Sequence, residues 1–256
     1  MASYFIYDSI NQYRSDNTVS EGQMTDSATP TFSATSTITD HERASDQNIG
    51  TIISAVVDRD AIEYAVGSSV TANAAAVYFT GDDNVSSGTI MNFFVDTDRA
   101  SLPNKGTITA VSAAGWATTD LTETTGTKFF VEFTGAVTNV SEVLIGSKLS
   151  FEVEPDVNIQ SSIDYENSIQ RSLGGVEYAL NVNPGQEVTT IGFQNISSTF
   201  KTNLTTMQDA LKGEAKKFVW YDGSSFHWVR LDKPMTFTEI ADGRFSTQLV
   251  LRQQIQ

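Results

Sequence analysis

The sequence predicts an all-β, mainly antiparallel protein with a single helix. Three observations carry that expectation. Short runs rich in aromatic and β-branched residues recur from Thr31 to the end of the chain, the composition that suits a pleated, half-buried surface. Clusters of Gly, Pro, Asn, Asp and Ser separate them, as turns do between strands. Apolar residues at helical spacing occur convincingly once, between Phe200 and Leu211. At 256 residues there is room for one large β domain or two of ordinary size, each able to bury a core.

In chain order, residues 1–30 open with the apolar patch Tyr4-Phe5-Ile6-Tyr7 and continue as a polar tract through Thr29-Pro30. This reads as an N-terminal arm with one edge strand. Strands are expected at 32–39, 51–57, 61–66, 74–79, 90–95, 107–111, 128–133, 140–145 and 149–153. Turn chemistry at 40–48, 67–68, 81–84 and 103–106, with Gly135 and Gly146, divides them. Such spacing without intervening helices argues for a sandwich or barrel.

After Pro155-Asp156 the character changes, and 154–256 reads as a second, β-rich domain. Strands are expected at 163–170 and 176–182 around Gly174-Gly175, and at 188–193 after Asn183-Pro184-Gly185. The helix, about 198–212, is capped by Ser197 or Ser198, presents Phe200, Leu204, Met207 and Leu211 on one face, and stops at Gly213. Two hairpins close the chain. Residues 218–221 and 226–231 flank Asp222-Gly223-Ser224-Ser225, and 235–240 and 244–251 flank Ala241-Asp242-Gly243. The helix is expected to cover one face or end of their sheet.

Composition excludes several functions. Acidic residues outnumber basic ones by 31 to 16, a net charge of -15, which repels phosphate backbones and makes nucleic acid a poor partner. The chain has no cysteine, so disulfide frameworks and thiolate metal sites are impossible. The N-terminus lacks the charged start and apolar run of a signal peptide, so synthesis in a cytoplasm is expected. No run approaches the roughly 18 apolar residues of a membrane helix.

The motifs of serine hydrolases, dinucleotide enzymes and P-loop NTPases are missing, and His41 and His227 lie outside any metal-ligand spacing. Trp220, Tyr221, Phe226 and Trp228 are the side chains able to stack on a sugar, although packing is the ordinary use of such rings. Asp58, Asp60, Asp82, Asp83, Asn84, Asp96 and Asp98 are oxygen ligands without calcium-loop spacing, and loops use Asp and Asn routinely as turn formers. The Asn-x-Ser/Thr sites at Asn84, Asn139, Asn195 and Asn203 are expected by chance in so Asn-, Ser- and Thr-rich a chain. The sequence therefore assigns no catalytic, cofactor-binding or metal residue, names no ligand-binding residue, calls for no cofactor, and predicts a protein that is not an enzyme.

Two resemblances extend this reading. IEYAVGSSVTANAAAVYFTG (62–81), VEFTGAVTNVSEVLIGSKLSFE (131–152) and Ala114-Gly115-Trp116 between them resemble, in order and spacing, galactose-binding-like (discoidin-like) jelly-roll modules over 31–153. Ala65 and Val66 depart from that pattern, standing where Asp and Leu are usual. The resemblance implies a jelly-roll sandwich, and because such modules often hold a structural calcium it singles out Asp82 and Asp83. The order of such a module before a β-rich half, with FVWYDGSSFHWVRLDKPM near the C-terminus, resembles minor structural proteins of tailed bacteriophages. That likeness implies a virion component of tail or tail tip, a symmetric homo-oligomer contacting other virion proteins and host surface glycans. The alternative is a stand-alone carbohydrate-binding module.

Overall fold

The computed structural model describes residues 3–8, 18–24, 32–33, 38, 40–53, 60–80, 90–96, 104–109, 113–135, 140–156, 159–165, 167–171, 177–181 and 185–254. For 18–24, 32–33, 41, 90, 96, 167–171 and 177–181 it describes the backbone alone. The strands are β1 (Tyr4–Asp8), β2 (Thr18–Met24), β3 (Phe32–Ser33), β4 (Asp60–Phe79), β5 (Ile90–Asp96), β6 (Asn104–Thr109), β7 (Gly115–Thr134) and β8 (Val140–Ser150). They continue as β9 (Gln160–Asp164), β10 (Asn167–Arg171), β11 (Glu177–Asn181) and β12 (Gln186–Ser197). Helix α1 (Ser198–Ala210) then precedes β13 (Lys217–Tyr221), β14 (Phe226–Leu231), β15 (Thr236–Ala241) and β16 (Arg244–Gln253). The fold class is as the sequence predicts: antiparallel β throughout, with one α-helix among the described residues.

The chain divides into two compact units. The first comprises Tyr4–Ser150 and Phe218–Phe226. Its strand order is β6-β5-β7-β4-β8-β1-β13, with β2 on β4 and β3 on β2. Strands β4 and β7 are each 20 residues long, which would be about 66 Å if straight, against about 30 Å for the width of a small domain. They cannot run straight. Their ladder breaks register between Ala65 and Val70 and again between Ala72 and Ala74. Before the breaks β4 pairs with β2, and after them with β8. Bulges of this kind bend a strand and increase its twist, so β4 can change its second neighbour from β2 to β8 along its length. The core holds alternate residues of these strands, including Ile62, Tyr64, Val77, Phe93, Phe129, Val131, Phe133, Val143 and Ile145.

Several expectations need correction in this unit: residues 104–106, read as a turn, begin β6, and 51–53, read as strand, are not strand. Gly67 and Ser68 do not turn the chain; they are exposed residues of the bulged stretch, where a strand uses the same small residues as a turn. Gly146 does not break the chain either, because β8 runs through it opposite Asp8 and Ala74. Residues 1–30 are more than an arm with an edge strand. Strand β1 lies between β8 and β13, with Phe5 and Ile6 buried, and β2 pairs with β4. The stretch 115–126, not expected as a strand, is the first half of β7.

The second unit comprises Met1–Ser3, Phe151–Lys217 and His227–Ile255. Its sheet runs β14-β16-β12-β9 with β15 on β16, and β10 and β11 form a separate two-stranded ladder. The expected strand 163–170 is thus two strands, β9 and β10. Helix α1 begins where expected: the Ser197 hydroxyl accepts a bond from the Phe200 N–H (3.1 Å). At its far end Gly213, at φ 68°, donates its N–H to the Gln208 carbonyl. Phe200, Leu204, Met207 and Leu211 are buried, and the Phe200 ring meets the Phe193 ring of β12 edge-on at 5.9 Å. The helix therefore covers one face of this sheet.

Candidate functional site

On the face of that sheet away from the helix lies an open cleft of about 350 Å³, lined by Asp156, Gln194, Thr236, Thr238, Ile240, Ser246 and Gln248, with Phe193 and Thr247 in its floor. The register explains the lining. Gln248 pairs with both Gly192 and Thr236, and Ser246 with Thr238, so these residues share one face across β12, β16 and β15. Phe193, Phe237 and Thr247 alternate to the other side. There Lys201 of α1 holds its Nζ 4.0 Å from the Phe245 ring centre and 5.8 Å from that of Phe237. The aromatics are spent on the helix, which leaves hydroxyls and amides for the open side.

Asp156 is the one carboxylate in the lining. Its N–H donates to the Gly192 carbonyl (2.9 Å), and its Oδ2 accepts from the Gln194 amide (3.3 Å). A Cβ at Gly192 would lie 2.7 Å from that same oxygen, so the glycine makes room for the carboxylate to lie against the strand. The Thr247 hydroxyl donates to the Thr236 carbonyl (2.7 Å) and pins β15 to β16.

Further along the same face Arg252 is nearly buried. It donates from Nε to Asp232 (2.6 Å), from Nη2 to Asp164 (2.8 Å) and from Nη1 to Gln186 (3.3 Å). These bonds, that to Asp232 foremost, raise its pKa further above the ordinary arginine value, so it stays charged at every pH the fold survives. It fixes the sheet beside the cleft and takes no part in proton transfer.

The candidates that the sequence singled out fall elsewhere. Trp220, Tyr221 and Trp228 are buried, and Phe226 and His227 are half-buried. Tyr221 packs between Tyr4 (5.0 Å) and Phe226 (4.7 Å). Lys148 caps the Tyr4 ring at 4.4 Å while pairing with Asp120 at 2.7 Å. These rings do what core aromatics ordinarily do. Asp58, Asp82, Asp83, Asn84 and Asp98, and the side chains of His41 and Asp96, lie outside the described residues. Asp60 is fully buried. Among the described residues no group of three or more His, Cys, Asp or Glu is placed to hold a metal ion. Sequence reasoning missed every residue of the cleft, since Thr, Ser and Gln alternating along a strand look like any solvated face.

No protein-family model and no curated protein matches the chain. Solved structures do. A family 32 carbohydrate-binding module of AlyQ, in complex with 4,5-unsaturated mannuronic acid, aligns at 19% identity and a TM-score of 0.36 over 46% of this chain and 93% of that one. A Clostridium perfringens family 32 module, CpGH89CBM32-5, in complex with GalNAc-beta-1,3-galactose, aligns at 12% identity and 0.40 over 55% and 100%. The family 32 module of Clostridium perfringens NanJ, in complex with galactose, aligns at 13% and 0.39 over 54% and 97%. All three are carbohydrate-binding modules.

Proposed function

We propose that the protein is a non-catalytic carbohydrate-binding module whose described ligand surface is the cleft over β12, β15 and β16. The observation that carries this reading is the lining. Gln194, Thr236, Thr238, Ser246 and Gln248 set uncharged donors and acceptors on a rigid three-stranded face, the chemistry that exchanges water for sugar hydroxyls. Glycoside hydrolysis takes two carboxylates roughly 5–10 Å apart across the bond. Asp156 is the only carboxylate among the described residues that line the cleft.

Calorimetry of the whole chain against a panel of soluble oligosaccharides tests this. At least one neutral glycan binds, and Gln248→Ala or Thr238→Ala weakens it about tenfold, the loss of one to two hydrogen bonds. Both side chains are exposed, so the fold tolerates their removal. A panel without heat, or variants that bind as well as the parent, defeats the reading.

A second reading, a structural component of a tailed-phage virion, is favoured by the edge position of β9 among the described residues and by the C-terminal resemblance. A chain silent towards glycans but present in purified phage particles replaces the first reading with this one.

A further inference from the structure

We propose that β9 is a docking edge for a second copy of this chain, the two strands pairing antiparallel about a two-fold axis through Ser162. The inference is independent of what the cleft binds. β9 ends its sheet: all five of its residues pair with β12 on one side, and no strand follows on the other among the described residues. An edge of this kind presents unpaired N–H and C=O groups, a template for another strand.

Side chains point the same way. Ile159, Ser161, Ile163 and Tyr165 alternate onto one face. Ile159, Ile163 and Tyr165 are 46%, 62% and 51% exposed, and they are three of the four large apolar side chains exposed among the described residues. Gly185 is what lets the stripe lie there, since a Cβ on it would collide with Ile163 and with the Tyr165 ring. β9 carries neither lysine nor proline, two residues that commonly guard a solitary edge.

Charge and register select a copy of the chain as the occupant. With a net charge of -15, two copies repel over most of their surface. The one ionisable residue of β9 is Asp164, whose charge is partly offset by Arg252 at 2.8 Å, a guanidinium it shares with Asp232 at 2.6 Å. Copies therefore meet here at low electrostatic cost. About an axis through Ser162 the strand complements itself: Ile159 faces the partner's Tyr165, Ser161 faces the partner's Ile163, and Gln160 offers its amide to the partner's Asp164. A two-fold contact closes after one pairing and yields a dimer without further growth.

The chain contains no cysteine, which makes the test clean. In an antiparallel pair directly opposed Cα atoms lie about 4.5–5.5 Å apart, inside the roughly 4.4–6.8 Å that a disulfide spans. Under mild oxidation Ser162→Cys forms a covalent dimer that reductant dissolves. In sedimentation the parent has the mass of two chains, and Ile163→Lys, which sets a charge in the stripe, has the mass of one with an unchanged circular dichroism spectrum. A parent that stays at the mass of one chain up to its solubility limit overturns the proposal. So does a parent dimer that survives Ile163→Lys, or a Ser162→Cys protein that dimerises without cross-linking.

Discussion

Tyr64 is the residue at which the first unit's core meets its acids. Its ring belongs to the main apolar cluster and is 1% exposed. Burial, and then the carboxylates of Glu142 and Asp8, hold its phenol pKa well above the ordinary tyrosine value of about 10. The linkage has a definite sign. Below the unfolded pKa both states keep the proton, and the stabilisation is complete. As pH rises past it the unfolded chain ionises while the folded one does not, so stability falls until the folded pKa is reached. Tyr64→Phe keeps the ring and removes the titrating group. Denaturant melts between about pH 8 and 11 should therefore show a shallower alkaline loss in the variant, with neutral-pH stability within about 1 kcal/mol of the parent. Equal alkaline slopes in the two proteins would place the sensitive group elsewhere.

Among the elements, α1 shows which structure a sequence can announce. Every signal that defines it is local: the cap at Ser197, the apolar face at three- and four-residue intervals, and the stop at Gly213. The fold adds one contact that the local pattern could not show, because the Ser197 hydroxyl also donates to Glu152 at 2.6 Å and sets a carboxylate at the helix's positive end. Ser197→Ala should cost about 1–2 kcal/mol in chemical denaturation. Gly213→Ala meets no atom within 4 Å, so its cost is confined to the left-handed backbone, about 1 kcal/mol. A Ser197→Ala protein as stable as its parent would show that the cap and the Glu152 bond contribute nothing net. The strands of the two C-terminal hairpins and of β5 were legible for a related reason, since alternation and turn residues are also local. β4 was not, because its mid-strand bulge is spelt with the same Gly and Ser as a turn, nor was the first half of β7, a polar, Thr-rich run. The cleft was illegible in a different way: its lining becomes a site only when three strands align, and registers such as Gly192 with Gln248 and Thr236 with Gln248 are facts of tertiary pairing.

Over the whole molecule, the first unit is assembled from distant parts of the chain. Tyr4 pairs with Ser150 on one side and with Tyr221 on the other, and the Phe5 ring meets Phe218 edge-on at 5.3 Å. Read locally, Tyr4-Phe5-Ile6-Tyr7 was only an apolar patch before a polar tract, because nothing near it in the sequence records partners so far downstream. The module suggested by resemblance, 31–153, therefore omits β1, β2 and β13 while retaining β8, which β1 covers, and β4, which β2 covers. Cut out alone, it bares the edge of β8 that β1 occupies and the edge of β4 that β2 occupies, along with the apolar surface beneath Phe5 and Ile6. Unpaired edges flanked by apolar surface aggregate. The 31–153 fragment should show no cooperative thermal transition by circular dichroism, whereas the full chain unfolds cooperatively. A fragment that melts as sharply as the intact protein would mean that β1, β2 and β13 only decorate a sandwich complete without them.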